Sequence, residues 1–297
     1  MKSRSMGSTV LFIPALLGAM LLGSCRSGGD QRAPQGKAKK LPLLYTDLDE
    51  TLLSSKGTIS ACNMAALKRY QKAGGRIGIA TGRFPDSAGV LAKQVGSRLP
   101  VISANGAVIH SPGGALLRLR GITDPTFFQG FCGEVFRHQC KKYYTAFMNT
   151  ASGKVIWGGQ RCEAPQAGFS VFKMKAQQCE NPGEFLKVTR SRFAAQATII
   201  NAGSVANYHF AVSAPGVDKG DALLFVAKSL GYPSSRLAFV GNGGNDVSGA
   251  RAVHKAGGKC FVVANGVSAL KAACPTHLAQ SNDNCALGRV VEILLRQ

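Results

Sequence analysis

Two aspartates stand two positions apart, directly after a short apolar run. Asp47 and Asp49 follow residues 41–46, a run of the kind that a fully buried parallel strand requires. In such a pair, one carboxylate can attack while the other handles protons, and both can share one cation. Carboxylates grouped at a strand end are costly to hold together without a metal. The segment predicts a catalytic carboxylate pair or, if it stood alone, an ordinary acidic turn.

Three further segments carry polar groups at the ends of predicted elements. Residues 80–83 (ATGR) end the next predicted strand and offer a hydroxyl and a glycine N–H that can approach a phosphate oxygen. Lys219 begins a predicted helix, where its ammonium can neutralise both a carboxylate and a phosphate. Residues 240–246 (VGNGGND) follow another strand as a glycine-rich loop with polar ends. The acidic segment therefore does not stand alone.

Apolar runs and helical spacing alternate along both ends of the chain. The first series comprises a strand at 41–46, a helix at 59–73, a strand at 76–80, a helix near 86–97 and a strand at 99–103. The second comprises a helix at 220–230, a strand at 237–240, a helix near 246–256, a strand at 260–263 and a helix near 286–295. This alternation predicts an α/β fold with a doubly wound parallel sheet. Such sheets bind ligands at the carboxyl ends of their strands.

The middle of the chain follows another pattern, which predicts a separate α+β insertion over residues 113–208. A helix at 124–142 precedes strand-like pieces at 143–148, 154–157, 169–174, 197–200 and 208–212. Four aromatic residues are expected in the core of this insertion rather than on a sugar-binding platform: Phe127, Phe128, Trp157 and Phe172. On that helix Cys132 and Cys140 would lie about 12 Å apart, so we expect any bridge from either to reach Cys162 or Cys179.

In this order and context, the four segments resemble the haloacid dehalogenase (HAD) superfamily, and within it the Cof-like sugar-phosphatase branch. That branch has a DxDGT loop, a TGR segment, a lysine after a tight turn and a GDGxND loop. The resemblance extends to residues 103–107 (SANGA) and 263–266 (VANG). It implies a Rossmann-like catalytic core over 41–112 and 209–297, with an α+β cap over 113–208.

The resemblance also implies a role for each motif. Asp47 would attack phosphorus and form an aspartyl-phosphate, and Asp49 would protonate the leaving oxygen and then activate water. Lys219 would stabilise the charge around Asp47 and the phosphoryl group. The residues implied to hold phosphate oxygens are Thr81, Gly82 and Asn245. Those implied to bind Mg²⁺ are Asp47, Asp49 through its backbone carbonyl, Asn242 and Asp246.

Two positions depart from the pattern of that branch. Glu50 stands where the branch usually has glycine, although other HAD phosphatases have a DxDET loop. Asn242 stands where the family has a metal-binding aspartate, and its amide can donate a neutral oxygen but no charge. The expected function is Mg²⁺-dependent hydrolysis of small, sugar-phosphate-like monoesters. The alternatives are a weakened HAD-fold lipoprotein that only binds phosphate ligands and, less favoured without an obvious second phosphate anchor, a phosphomutase.

The basic composition is expected either for a protein with anionic partners or for one from a generally basic proteome or adapted to a negatively charged surface. The chain has 36 Lys and Arg against 15 Asp and Glu, a net charge of +21. No aromatic-interleaved basic motif, zinc-finger spacing or basic heptad helix supports nucleic-acid binding. The expected partner is a small phosphorylated metabolite, and the sequence does not indicate an oligomeric state.

The first 25 residues predict export. A basic start and an uncharged, apolar stretch are typical of a secretory signal. Residues 22–25 (LGSC) resemble the bacterial lipobox, so we expect a signal peptide over 1–24, lipidation of Cys25 and a polar tether over 25–40. Eight cysteines remain of nine, an even count that permits disulfides. The protein is thus expected to be lipid-anchored in the cell envelope, outside the cytoplasmic membrane; a misassigned N-terminus would instead leave it in the cytoplasm.

Overall fold

The computed structural model describes residues 41–151, 154–157, 164–202 and 208–296. The signal, the tether and Cys25 lie outside these residues. In chain order, the strands and helices are β1 Leu43–Thr46, α1 Ala61–Lys72, β2 Arg76–Ile79, α2 Pro85–Gln94, β3 Val101–Ser103, β4 Val108–His110, β5 Leu116–Leu119, α3 Pro125–Arg137, β6 Lys142–Asn149, β7 Val155–Trp157, β8 Phe169–Gln177, α4 Pro182–Arg192, β9 Thr198–Asn201, β10 His209–Ser213, α5 Lys219–Ser229, β11 Leu237–Gly241, α6 Val247–Lys255, β12 Lys259–Val262, α7 Ser268–Ala273 and α8 Ala286–Leu295. None of these helices combines the length and apolar character needed to cross a membrane.

A parallel sheet with strand order β12-β11-β1-β2 forms the centre of the core. The side chains of β1 alternate between two hydrophobic clusters. Leu44 packs into one cluster with residues of α1 and α8, while Leu43 and Tyr45 pack into the other with residues of α5 and α6. Because both faces of the strand are covered, residues 43–45 of β1 are apolar and fully buried. The predicted α/β class with a parallel sheet is confirmed.

The cap is an antiparallel sheet with strand order β7-β6-β8-β10-β9, against which α3 and α4 pack. Its core is aromatic: Phe127 and Phe131 of α3 stack with ring centroids 5.5 Å apart, and Phe185 of α4 meets Phe131 edge-on. Phe128 and Phe172 are also buried, as expected. The side chain of Trp157 lies outside the described part of the chain.

The structure differs from the sequence-based prediction at three places in and around the cap. Helix α3 ends at Arg137 instead of 142, because Gln139 adopts the left-handed region with φ 44°. Helix α4 was not predicted, since Phe185 is its only large residue that is fully buried and it has no apolar stripe. Strand β10 pairs with β8 and β9 of the cap sheet, although it follows the expected boundary at residue 208.

Disulfides join distant segments. Cys140 is bonded to Cys179, one of the two partners expected for it, and it lies beyond the end of α3. Two further disulfides lie in the core: Cys62–Cys285, which links α1 to the start of α8, and Cys260–Cys274. The core disulfides close loops of very different length, with sequence separations of 223 and 14 residues.

We predict that the longer of these two loops contributes more to stability. Closing a long loop removes more conformational freedom from the unfolded chain, so removing Cys62 and Cys285 together by serine substitution should cost about 2–5 kcal/mol. The matched control is the double serine variant of Cys260 and Cys274, for which a smaller loss is expected. Urea unfolding measures both, and an equal or reversed order would contradict the loop-length argument.

Candidate active site

Three neighbouring strands of the core place polar residues at one edge of the sheet. Asp47 follows β1, Thr81 follows β2 and Asn242 follows β11. The parallel register aligns Thr46 with Val240 on one side and with Ile79 on the other, and the Asp47 backbone N–H donates to the Val240 carbonyl at 3.0 Å. The carboxyl ends of these strands therefore meet, as the sequence predicts and as ligand sites in such sheets require.

Lys219 occupies the centre of this edge. Its side chain is fully buried, and its Nζ donates to Asp47 Oδ1 at 2.7 Å and to Asp246 Oδ1 at 2.5 Å. The other oxygen of Asp246 accepts the backbone N–H groups of Asn242 and Gly243 at 2.9 and 2.8 Å. Protein donors thus occupy both oxygens of Asp246, which fixes the loop around Lys219. The expected role of Asp246 as a metal ligand stays a prediction.

Asp47 lies in an environment that disfavours its charge. Burial raises the pKa of its carboxyl to about 7, the carboxylate of Asp246 adds to this shift, and Lys219 opposes it. Burial lowers the pKa of Lys219, but its two carboxylate partners outweigh burial and leave that pKa raised. The ammonium of Lys219 thus faces two carboxylates. A further positive charge beside Asp47 would balance the second of them.

The predicted phosphate-binding loop follows β2. Thr81 is fully buried and accepts the Arg83 backbone N–H on its hydroxyl at 3.1 Å. A Cβ at Gly82 would lie 3.0 Å from Asn105 Oδ1, so a larger residue would crowd the loop. That same oxygen accepts from Asn245 Nδ2 at 2.9 Å. The structure therefore brings the three predicted phosphate-binding residues together and adds Asn105, which the sequence places in the SANGA segment.

Asp49 turns away from Asp47 toward Arg83. The guanidinium donates from Nη2 to Oδ1 at 2.6 Å and from Nε to Oδ2 at 3.0 Å, a two-point contact. This hydrogen bonding raises the pKa of Arg83. The side chain of Asp49 is 56% exposed, so the pair lies at the mouth of the site. Arg83 adjoins Thr81 and Gly82 in the TGR segment but was not among the predicted site residues.

The two departures from the Cof-like pattern contact each other. Asn242 Nδ2 donates to Glu50 Oε2 at 3.3 Å, and Asn242 Oδ1 accepts from the Thr51 hydroxyl at 2.9 Å. Glu50 adopts the left-handed region with φ 55°, and its carbonyl accepts from Asn265 Nδ2 at 2.8 Å. Glu50 thus places a carboxylate beside Asn242. In the described residues no group of three or more His, Cys, Asp or Glu is arranged to hold a metal ion.

A cavity of about 660 Å³ opens above these residues, between core and cap. The cap residues that line it are Lys173, Lys175, Ala202, His209 and Ala211. Lys173 donates to the Gly82 carbonyl and lies 4.5 Å from the centroid of the Phe84 ring. Burial lowers the pKa of Lys173 to about 7, with Lys175 contributing. Neither lysine was predicted as a site residue; Lys173 lies in the predicted strand at 169–174, whereas Lys175 lies just beyond it and belongs to β8 in the structure.

The chain belongs to the haloacid dehalogenase-like hydrolases, because the profile of that family matches residues 44–132 and 166–291. It is 26% identical to Phosphatase YwpJ of Bacillus subtilis (strain 168), in an alignment that covers 86% of this chain and all of the relative. It is also 26% identical to a phosphoglycolate phosphatase of Pyrobaculum aerophilum, over 69% of this chain and 77% of the relative. A solved haloacid dehalogenase-like hydrolase from B. subtilis superposes with a TM-score of 0.69 at 22% identity, covering 86% of this chain and 100% of the other.

Proposed function

We propose that this protein is a Mg²⁺-dependent phosphatase that hydrolyses small phosphate monoesters through an aspartyl-phosphate on Asp47. The observation that carries the proposal is the buried carboxylate of Asp47, held by Lys219 at the sheet edge where the phosphate loop lies. Membership of a hydrolase family and two relatives named as phosphatases support it. One relative's name gives no substrate and the other's gives phosphoglycolate. The substrate of this chain must therefore be inferred from the residues of its own cavity.

The residues divide the reaction between them. A carboxylate oxygen of Asp47 attacks phosphorus, the ester P–O bond breaks, and the leaving oxygen takes a proton from Asp49. Asp49 then takes a proton from water, whose oxygen attacks phosphorus and releases phosphate from Asp47. Asp49 must leave Arg83 to reach the leaving oxygen, because the two are paired here. Lys219 offsets the negative charge that gathers around the transferring group.

The donor set fits Mg²⁺. Mg²⁺ prefers hard oxygen ligands and is usually held by one or two carboxylates with water and substrate oxygens. Asp47, the Asp49 carbonyl and Asn242 Oδ1 would supply such oxygens, and Asp246 would act by holding the loop. Glu50 adds a carboxylate beside Asn242. Lys219 is one positive charge shared by the carboxylates of Asp47 and Asp246. When bound, the cation would supply the second positive charge.

Replacing Asn242 by Asp should make the protein more dependent on metal. The new carboxylate would face Glu50 at the present 3.3 Å contact, so we predict a loss of about 1–2 kcal/mol of unfolding free energy in EDTA. Saturating Mg²⁺ should restore more stability to this variant than to wild type. The matched control is Glu50→Gln combined with Asn242→Asp, which removes the repulsion. Thermal unfolding against Mg²⁺ concentration measures both effects, and identical curves for wild type and Asn242→Asp would contradict the shared site.

The decisive test of the function is phosphate release by the purified protein from a panel of phosphate esters. Turnover should require Mg²⁺ and stop on addition of EDTA. Binding of phosphate esters without turnover under any metal condition would refute the phosphatase proposal and favour a binding protein.

We further propose that the protein works outside the cytoplasmic membrane, lipid-anchored through Cys25. The three described disulfides favour this placement, since disulfides persist in oxidising compartments and are rare in cytosolic proteins. Labelling of cells with palmitate tests it: the label should appear on the wild-type chain and be lost in Cys25→Ser. Equal labelling of the two, or none in either, would contradict the anchor.

A further inference from the structure

Strand β8 directs two lysines into the cavity. Lys173 and Lys175 both line it and stand two residues apart, so they share one face of the cap sheet. Same-face neighbours on a strand are about 7 Å apart. Lys173 lies at the phosphate loop, because it donates to the Gly82 carbonyl, and Lys175 lies one step further along the strand.

The other cations of the cavity already have carboxylate partners. Arg83 pairs with Asp49, and Lys219 lies between Asp47 and Asp246. Neither cap lysine forms an ion pair with a carboxylate anywhere in the described part of the chain. The transferring phosphoryl group has its own positive partner in Lys219. The two cap lysines therefore add positive charge beyond what is needed to bind the one phosphate group that is transferred.

Holding these lysines in the cavity is costly for the free protein. Burial lowers the pKa of each, so the charged form is disfavoured where they lie. The neighbour of Lys175 on β10 is Ala211, a small residue that also lines the cavity, and its neighbour on β6 is Tyr144. His209 lines the cavity from the same strand, two residues before Ala211. Lys175 has no carboxylate partner among the described residues and lines the cavity, so it is arranged to receive an anion, and Lys173 lies beside it with only the Gly82 carbonyl and the Phe84 ring as partners.

We propose that this row binds a second anionic group of the substrate, so that the preferred substrates are phosphate monoesters whose leaving group carries a carboxylate or another phosphate. The inference rests on the proposed phosphatase function and specifies its substrate class. One phosphate lies at Asp47, and the second anion lies at Lys175, with Lys173 between the two. The spacing of the lysines favours small substrates in which few bonds separate the two anions.

Matched esters test the inference in the full-length protein. The carboxylate arm compares 3-phosphoglycerate with glycerol 3-phosphate, and the phosphate arm compares fructose 1,6-bisphosphate with fructose 6-phosphate. Hydrogen bonds to charged groups contribute enough to expect a kcat/KM about 10- to 100-fold higher for the member with the second anionic group in at least one pair. Which arm responds identifies the second anion. Equal kcat/KM within both pairs would overturn the inference while leaving the phosphatase function intact.

Variants locate the effect. Lys175→Met should lower the preference ratio about tenfold or more, mainly through KM, whereas Lys187→Met, an exposed cap lysine on α4, should leave the ratio unchanged. Calorimetry on the Asp47→Asn protein measures binding of the same esters without turnover, so the inference remains testable if no ester is hydrolysed. The thermal stability of Lys175→Met should not fall, since burial disfavours the charged ammonium and it forms no ion pair in the described residues. The proposal would be overturned if Lys175→Met kept the wild-type ratio of kcat/KM between paired esters. It would also be overturned if Lys175→Met lost thermal stability.

Discussion

Asp47→Asn should abolish hydrolysis of every phosphate ester that the wild-type protein cleaves. An amide cannot form the aspartyl-phosphate, so we expect a fall in kcat of about four orders of magnitude or more. The substitution preserves shape and the contact with Lys219, which separates the loss of the nucleophile from a loss of structure. Phosphate release and calorimetric binding of the same ester measure the two. Residual turnover within tenfold of wild type would rule out Asp47 as the nucleophile.

The same variant should be more stable than wild type in EDTA, and the gain should depend on pH. The folded-state pKa of Asp47 is about 7, above its ordinary value of 3.8. Between these values the folded state binds more protons than the unfolded state, so wild-type stability falls as pH rises through that window. The stability difference between Asp47→Asn and wild type should therefore grow from pH 4 to about pH 7. A constant difference across this range would show that Asp47 is charged throughout.

Lys219→Met should have the largest effect on stability. The ammonium is fully buried between Asp47 and Asp246, and its removal leaves two carboxylates without a cation. Breaking a buried ion pair from one side costs about 3–5 kcal/mol. Loss of its charge at the transferring group should lower kcat by about 10²- to 10³-fold. Urea unfolding in EDTA and phosphate release give the two measurements.

A double-mutant cycle shows whether repulsion between the carboxylates is the cause. Asp47→Asn combined with Lys219→Met leaves one buried carboxylate instead of two, so Asp47→Asn should add more stability in the Lys219→Met background than it adds in wild type. If the two effects simply add, Lys219 stabilises the fold by packing alone and the electrostatic account is wrong.

The core could be predicted from the sequence because local patterns determine it. Residues 41–45 are apolar, as a strand covered on both faces must be, and the polar residues Thr46 and Asp47 follow at once. Because parallel strands end at one edge, identifying the strands was enough to bring Asp47, Thr81 and Asn242 together. The position of Lys219 at the start of α5 likewise follows from the helix it begins.

The parts that the sequence did not predict depend on contacts between distant segments. Lys173 reaches Gly82 from the cap sheet, 91 residues away, and nothing in the local sequence indicates that contact. The pairing of Arg83 with Asp49 depends on which way two loop side chains turn. The hairpin of β4 and β5 has only a few residues in each strand, too few for a clear alternating pattern.

The contact between Glu50 and Asn242 constrains how this sequence can have evolved. Glutamate at 50 opposite an aspartate at 242 would set two carboxylates against each other, while Asn242 opposite glycine would leave the site one negative charge short. A non-glycine residue at 50 also bears the steric cost of φ 55°. Each single change is therefore a poorer intermediate than the pair, which makes the two positions epistatic. A relative with glycine and aspartate at these positions should tolerate the exchange of both better than the exchange of either alone.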